Sequence, residues 1–97
     1  MDRRELEASW QITRRHLAAA KAELPRSEGR ALDRSLLIYR EYVDHNELEL
    51  AMHALEHASE SDRAPAAFWR ALERAAANMG LTEAVEFYGL RADEAGS

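Results

Sequence analysis

The densest group of residues that could do chemistry is the stretch His53–His57, which reads HALEH. Two histidines one helical turn apart with a glutamate between them match the H-x-x-E-H pattern of inverted zinc peptidases, in which the glutamate acts as the base. Glu49 or Glu60 could complete a surface zinc site. A peptidase also needs a substrate cleft, which a helical chain of 97 residues hardly supplies. Nor does the sequence offer a second shell of residues to orient the ligands. We therefore expect solvated histidines, with no metal ion and no cofactor.

Other catalytic patterns in the chain are incomplete. Asp44 and His45 could form a hydrolytic triad with Ser35 or Ser59, but there is no G-x-S-x-G turn and no glycine-rich oxyanion loop. The four glycines are isolated from one another, so a phosphate-binding loop is absent from the sequence as well. We predict a protein without enzymatic activity.

The charge is concentrated in one segment. Between Glu41 and Asp62 the chain carries seven acidic residues and no Lys or Arg. This segment has a charge of −7 and the rest of the chain +2, so it accounts for the net charge of −5. Solvated helices usually mix both signs, because Glu–Lys pairs one turn apart are stabilising and like charges are not. A segment of one sign gives up that stabilisation, and the usual gain is attraction to a partner of opposite charge. A plain solvated face is the alternative.

The overall composition indicates one globular domain over residues 1–97. Hydrophobic residues make up 46% and charged residues 32% of the chain, with two Pro and four Gly, which favours helices throughout. No apolar run approaches the roughly 20 residues that a membrane span requires. With no signal peptide core and no cysteine, the expected location is the cytoplasm.

Apolar residues at helical spacing predict an all-α fold, an up-and-down bundle of four helices plus a short C-terminal helix. The predicted helices cover about 2–24, 30–43, 47–59, 65–79 and 83–90. In the second helix, Leu37, Ile38 and Tyr42 extend beyond the main apolar stripe. We expect them to be buried within the bundle, although part of this surface could instead meet another protein.

Two turns carry clear local signals. In Asp44-His45-Asn46, we expect Asn46 to cap the third helix, with Glu49 three residues later completing a capping box. Gly80 followed by Leu81 predicts a Schellman turn at the end of the fourth helix.

The second and third helices could be mistaken for a DNA-binding helix-turn-helix. The acidic residues of the third helix would repel phosphate, so we predict no nucleic-acid partner.

The central segment YVDHNELELAMHAL, residues 42–55, together with the later Phe68-Trp69-Arg70, resembles the immunity proteins of the MafI type. The genes of that family lie beside those of polymorphic or contact-dependent bacterial toxins. The resemblance covers roughly residues 40–60. It implies that the chain binds and neutralises a cognate toxin domain, often a basic nuclease, and has no chemistry of its own.

The leading hypothesis is therefore an inhibitor that docks the acidic hairpin, residues 40–62, against a basic toxin surface. The candidate partner-binding residues are Glu41, Tyr42, Asp44, Asn46, Glu47, Glu49, Leu50, Glu56 and Glu60. The alternative is a helical adaptor or structural module, in which the broad apolar face of the second helix forms a homodimer and the acidic residues only maintain solubility.

Overall fold

The computed structural model describes residues 2–24, 30–59 and 64–96. These residues form five helices and no strand, so the prediction of an all-α fold is confirmed. The helices are α1 (Arg3–Ala22), α2 (Arg30–Asp44), α3 (Leu48–Ala58), α4 (Ala66–Asn78) and α5 (Thr82–Gly96).

Helix α1 begins at Arg3, within one residue of the predicted start. The side chain of Asp2 accepts a hydrogen bond from the backbone N–H of Glu5 at 2.9 Å, which satisfies one of the free donors at the helix start. The inward face carries Thr13, Leu17 and Ala20, all buried and three to four residues apart, the spacing of one face of a helix. Burial of this stripe, more than helix propensity, holds α1 in the fold.

Helix α4 is the centre of the packing. It makes extensive contacts with both α1 and α5, while α2 packs mainly against α3. The main neighbour of α1 is therefore α4, and not α2 as a strict up-and-down order would give. Asn78 at the end of α4 fixes this arrangement, because its amide donates to the Thr13 hydroxyl at 2.8 Å and to the Ser9 carbonyl at 2.9 Å.

Three aromatic side chains form the core between α4 and α5. Phe68 and Tyr88 are fully buried and Trp69 nearly so. The Phe68 and Trp69 rings meet edge to face with centroids 4.9 Å apart, and the Trp69 and Tyr88 rings stack at 6.0 Å. Such pairs contribute about 0.5–1.5 kcal/mol beyond the burial of their area. The inner face of α3 completes the core with Met52 and Leu55, both at 0% exposure.

The turn between α2 and α3 differs from the prediction. Asn46 has φ of 56°, so it lies in the left-handed region and ends α2. Its N–H donates to the Val43 carbonyl at 3.0 Å, and the N–H of Glu47 donates to the Tyr42 carbonyl at 2.8 Å, which together form a Schellman motif. The predicted Asn46 capping box is wrong, because an N-cap residue requires extended backbone. Glu47 precedes α3 instead, without a capping side-chain bond.

The predicted Schellman turn after α4 is confirmed. Gly80 has φ of 73°, its N–H donates to the Ala77 carbonyl at 3.1 Å, and the N–H of Leu81 donates to the Ala76 carbonyl at 2.9 Å. Leu81, the residue after the glycine, packs against the core as this motif usually requires.

Two further expectations were wrong. Helix α5 has 15 residues and ends at Gly96, so it is not short. Its last turns are held by Ala92, which is 1% exposed, and by Asp93, which accepts from Arg70 at 2.5 Å.

On α2, Leu37 is 69% exposed and Ile38 is 38% exposed. They were expected to be buried, but α2 packs mainly on one neighbour and leaves this side of the helix uncovered.

Candidate functional site: an acidic hairpin and the groove beside it

Two acidic residues in the last turns of α2 lie on its outer side. Glu41 and Asp44 are exposed, and Tyr39 on the opposite face is buried at 7% exposure. Leu37 precedes Glu41 by one turn, so an apolar and an acidic side chain are neighbours on this exposed face. Glu47, in the turn, is exposed as well. This face of α2 therefore combines two carboxylates with an uncovered leucine, and the turn adds a third exposed carboxylate.

The acidic residues of α3 face a different neighbour. Glu49 and Glu56, together with His53, line a groove of about 740 Å³ whose other wall is the start of α5. Leu50 is 45% exposed and is not among the residues that line this groove. The predicted acidic surface is thus divided between the outer face of α2 and the groove side of α3.

Most of these carboxylates have no internal counter-charge. Within the part of the chain that the structure describes, Glu41, Asp44, Glu47 and Glu49 form no ion pair. Unpaired acidic side chains close to one another repel, and an approaching cation relieves that repulsion.

An arginine of α1 does reach the hairpin, but it contacts neutral oxygens. The Nη2 atom of Arg14 donates to the side-chain oxygen of Asn46 at 3.0 Å and approaches the Val43 carbonyl at 3.5 Å. Asn46 is half-buried, and so is Tyr42, which packs against the core. These two candidate residues therefore hold the turn in place as part of the fold.

Glu56 joins α3 to α5. Its Oε1 atom accepts from the Tyr88 hydroxyl at 2.7 Å and lies 3.5 Å from His53 Nδ1. Burial raises the pKa of Tyr88, and the hydrogen bond to the Glu56 carboxylate raises that pKa further. The phenol therefore remains a hydrogen-bond donor over the physiological pH range.

Some of the groups considered for catalysis lie within the described residues. No three His, Asp or Glu side chains there are placed to hold one metal ion. The hydroxyl of Ser59, a candidate nucleophile of the hypothetical triad, donates a hydrogen bond to the Glu56 backbone carbonyl at 2.6 Å. Glu60, the remaining candidate partner-binding residue and a possible zinc ligand, lies outside the described residues.

The groove itself was missed by sequence reasoning. The wall formed by Glu83, Ala84 and Phe87 comes from α5, more than twenty residues after α3. Helical spacing predicts which residues share one face of one helix, but it does not show which faces of two distant helices lie opposite each other. Only the Glu49–Glu56 spacing of seven residues, two turns on one face, could have indicated one wall.

Comparison with known proteins gives no relative: no family model, no curated protein and no solved structure matches this chain. No helix in the described ranges is long and apolar enough to span a bilayer.

Proposed function

We propose that this protein is a non-enzymatic inhibitor that binds and neutralises a basic toxin domain through the hairpin α2–α3. A nuclease domain is the partner class that fits best, because proteins that act on nucleic acid carry basic surfaces. The observation that supports the proposal most directly is the set of exposed carboxylates without internal ion pairs, Glu41, Asp44, Glu47 and Glu49. The proposal includes a location in the bacterial cytoplasm, in keeping with the absence of cysteine.

The carboxylates would act first on the rate of association. Charges of opposite sign on two partners steer their encounter. In such complexes the association rate at low salt rises by about 10-fold to 10³-fold. Exposed rim charges add less to the final affinity, since solvent screens them.

Apolar contact would supply the rest of the binding energy. Leu50 is 45% exposed and Leu37 is 69% exposed, and both lie in the same hairpin as the carboxylates. A partner that covers one of these side chains removes apolar surface from water, which is worth about 25 cal/mol per Å². Asn46 and Tyr42 would contribute by keeping the turn rigid, since Asn46 is already bonded to Arg14.

The test uses the C-terminal domain of the toxin-like reading frame adjacent to this gene, purified and titrated with the inhibitor. We expect the double variant Glu41→Lys, Glu47→Lys to associate about 10-fold to 100-fold more slowly at low ionic strength. The difference should shrink at about 0.15 M salt, where the Debye length is about 8 Å.

The matched control is the double variant Glu23→Lys, Glu86→Lys, which changes the net charge equally at exposed positions outside the hairpin. Equal association rates for the two double variants would show that net charge, and not this hairpin, attracts the partner. No binding by the unmodified chain would refute the proposed function for that partner.

The exposure of Leu37 and Ile38 favours one second candidate, an adaptor that forms a homodimer through the outer face of α2. Sedimentation measures the mass of the protein alone. A stable dimer that becomes monomeric in the Leu37→Glu variant would support the adaptor, and a monomer at all concentrations would exclude it.

A further inference from the structure

The α3–α5 groove is an open space of about 740 Å³ between α3 and the turn that begins α5. It lies beside the acidic hairpin, and α3 is the only helix that belongs to both. Its lining residues from α3 are Glu49, Met52, His53 and Glu56, and those from the α4–α5 turn and α5 are Gly80, Leu81, Thr82, Glu83, Ala84, Phe87 and Tyr88.

The floor and one edge of the groove are apolar. Met52 is fully buried beneath it, and Leu81 and Ala84 are half-buried and pack against the core. At the edge, the Phe87 ring remains 47% exposed although it touches Tyr88 with ring centroids 5.6 Å apart. An aromatic ring exposed beside a concave apolar floor is a surface that a ligand can cover.

The rim of the groove is negatively charged. Glu49 on α3 and Glu83 on α5 are exposed, and neither forms an ion pair with another described residue. Glu56 adds a third carboxylate, fixed by the Tyr88 hydroxyl at 2.7 Å. None of the described residues that line the groove is Lys or Arg. The groove therefore favours a ligand with a positive charge.

The arrangement of these groups limits the shape of that ligand. Glu49 and Glu56 are two turns apart, about 10.5 Å along the helix axis at 1.5 Å per residue. Met52 lies between them on the side of α3 that faces the groove. A ligand that satisfies both features has an apolar stem for the floor and a cationic head for the rim.

We propose that this groove receives an arginine side chain of the basic partner. Arginine has an aliphatic stem that packs on apolar surface, and its planar guanidinium both stacks on aromatic faces and pairs with carboxylates. The Phe87 ring and the Glu49 and Glu83 carboxylates supply those contacts. This inference rests on the proposed function, since it assigns the anchor by which that partner is held.

The first experiment needs no partner. The full chain is titrated with N-acetyl-arginine-N-methylamide while the backbone amide resonances are followed by NMR, and the neutral citrulline analogue of the same shape serves as the control ligand. We expect saturable shifts at residues 49–56 and 81–88 with the arginine compound only. Equal shifts with both compounds, or shifts confined to other surfaces, would overturn the assignment.

Variants then test the named contacts. The double variant Glu49→Gln, Glu83→Gln should weaken binding of the arginine compound by about 2-fold to 30-fold, the range given by two exposed ion pairs. Phe87→Ala should also weaken it. The control is Glu41→Gln, Glu47→Gln, which removes two carboxylates outside the groove and should leave binding of this compound unchanged. Glu56 is kept, because its loss would break the bond to Tyr88.

Binding of the toxin domain separates this inference from the proposed function. If the toxin binds the unmodified chain and the Glu49→Gln, Glu83→Gln variant with equal affinity, the groove assignment fails and the proposed function stands. If the arginine compound occupies the groove but no toxin domain binds, the groove assignment stands as a cation site and the proposed function fails. Unchanged helical circular dichroism in each variant shows that a loss of binding is not a loss of folding.

Discussion

The hairpins α2–α3 and α4–α5 reverse the chain with the same turn, yet they differ in how many of their charged side chains are paired within the molecule. In both turns a residue in the left-handed region follows the helix, Asn46 with φ of 56° and Gly80 with φ of 73°. In both, the next N–H donates five residues back, from Glu47 at 2.8 Å and from Leu81 at 2.9 Å.

In the α4–α5 hairpin, three of the five acidic residues, Glu73, Asp93 and Glu94, have an arginine partner, while Glu83 and Glu86 have none among the described residues. Arg70 contacts Glu73 at 3.1 Å and Asp93 at 2.5 Å, and these carboxylates raise the pKa of the Arg70 guanidinium. Arg91 lies 4.8 Å above the Trp69 ring. In the α2–α3 hairpin, Glu41, Asp44 and Glu47 have no such partner among the described residues.

The contrast shows that turn geometry and surface chemistry are set separately. A Schellman turn fixes how two helices are joined, while the side chains on their outer faces decide whether the charges are satisfied within the molecule or left for a partner. We infer that the paired side chains of the α4–α5 hairpin serve stability, whereas the unpaired side chains of α2–α3, with the groove wall that α5 supplies, serve recognition.

The largest expected effect comes from the aromatic core. Trp69→Ala should lower the free energy of unfolding by about 3–5 kcal/mol, because it removes a buried ring and leaves a cavity. Leu37→Ala on the exposed face of α2 should change it by less than about 0.5 kcal/mol. Urea denaturation measures both. A loss at Leu37 comparable to that at Trp69 would mean that the two hairpins do not differ in this way.

The turns themselves provide a second comparison. Gly80→Ala should cost about 1–2 kcal/mol, since the left-handed backbone disfavours a Cβ although space for one exists. Asn46→Ala adds no Cβ, but it should cost about 1.5–3 kcal/mol, because it removes the hydrogen bond from the charged Arg14 side chain. Asn46→Gly loses the same bond but relieves the strain of a Cβ in left-handed backbone, so it should be more stable than Asn46→Ala. An Asn46→Gly variant that exceeds the unmodified chain by the full strain of about 1–2 kcal/mol would show that the Arg14 bond adds nothing.

The third prediction concerns alkaline pH. Burial raises the pKa of Tyr88 in the folded protein, whereas in the unfolded chain this phenol ionises near pH 10, the ordinary value. Above about pH 10 the unfolded state therefore binds fewer protons, and the free energy of unfolding falls by up to about 1.4 kcal/mol per pH unit.

Urea midpoints across this pH range measure the effect. Tyr88→Phe should reduce the slope. Some slope should remain, because burial also raises the pKa of Tyr39. A variant slope identical to that of the unmodified chain would contradict the assignment to Tyr88.

The smallest effect should come from single charges. Asp93→Asn breaks the contact with Arg70 and should lower the urea midpoint slightly, with the difference lost in about 1 M salt, where screening is nearly complete. Glu47→Gln removes an unpaired charge and should leave the midpoint unchanged or raise it slightly. If Glu47→Gln lowered the urea midpoint more than Asp93→Asn does, the acidic residues of the α2–α3 hairpin would be stabilising the fold.

The local features of this fold could be predicted from the sequence, and the relations between distant elements could not. The stripe through Thr13, Leu17 and Ala20 and the turn at Gly80 follow from spacing and residue type within one helix or turn. Asn46 was assigned to the wrong helix end, because asparagine suits both an N-cap and a left-handed position.

The candidate site could be predicted only in part, because the sequence does not show which helices are neighbours. The concentration of carboxylates in residues 41–62 can be read from the sequence, but their division between two surfaces depends on the neighbours of α2 and α3. The exposure of Leu37 depends on how much of α2 its neighbours cover, and the groove depends on α5 lying beside α3. Neither relation leaves a periodic signal in the chain.

The bond between Asn78 and Thr13 has a consequence for how the protein is made. These residues are 65 positions apart, so α1 leaves the ribosome long before the helix that covers its apolar stripe. At a translation rate of about 5–20 residues per second, the delay is about 3–13 s. The α2–α3 hairpin emerges in that interval and can close first. Helix α1 is synthesised before α2–α5 and is thus among the last of these five helices to be buried, and until then it depends on its own polar side chains to remain dispersed.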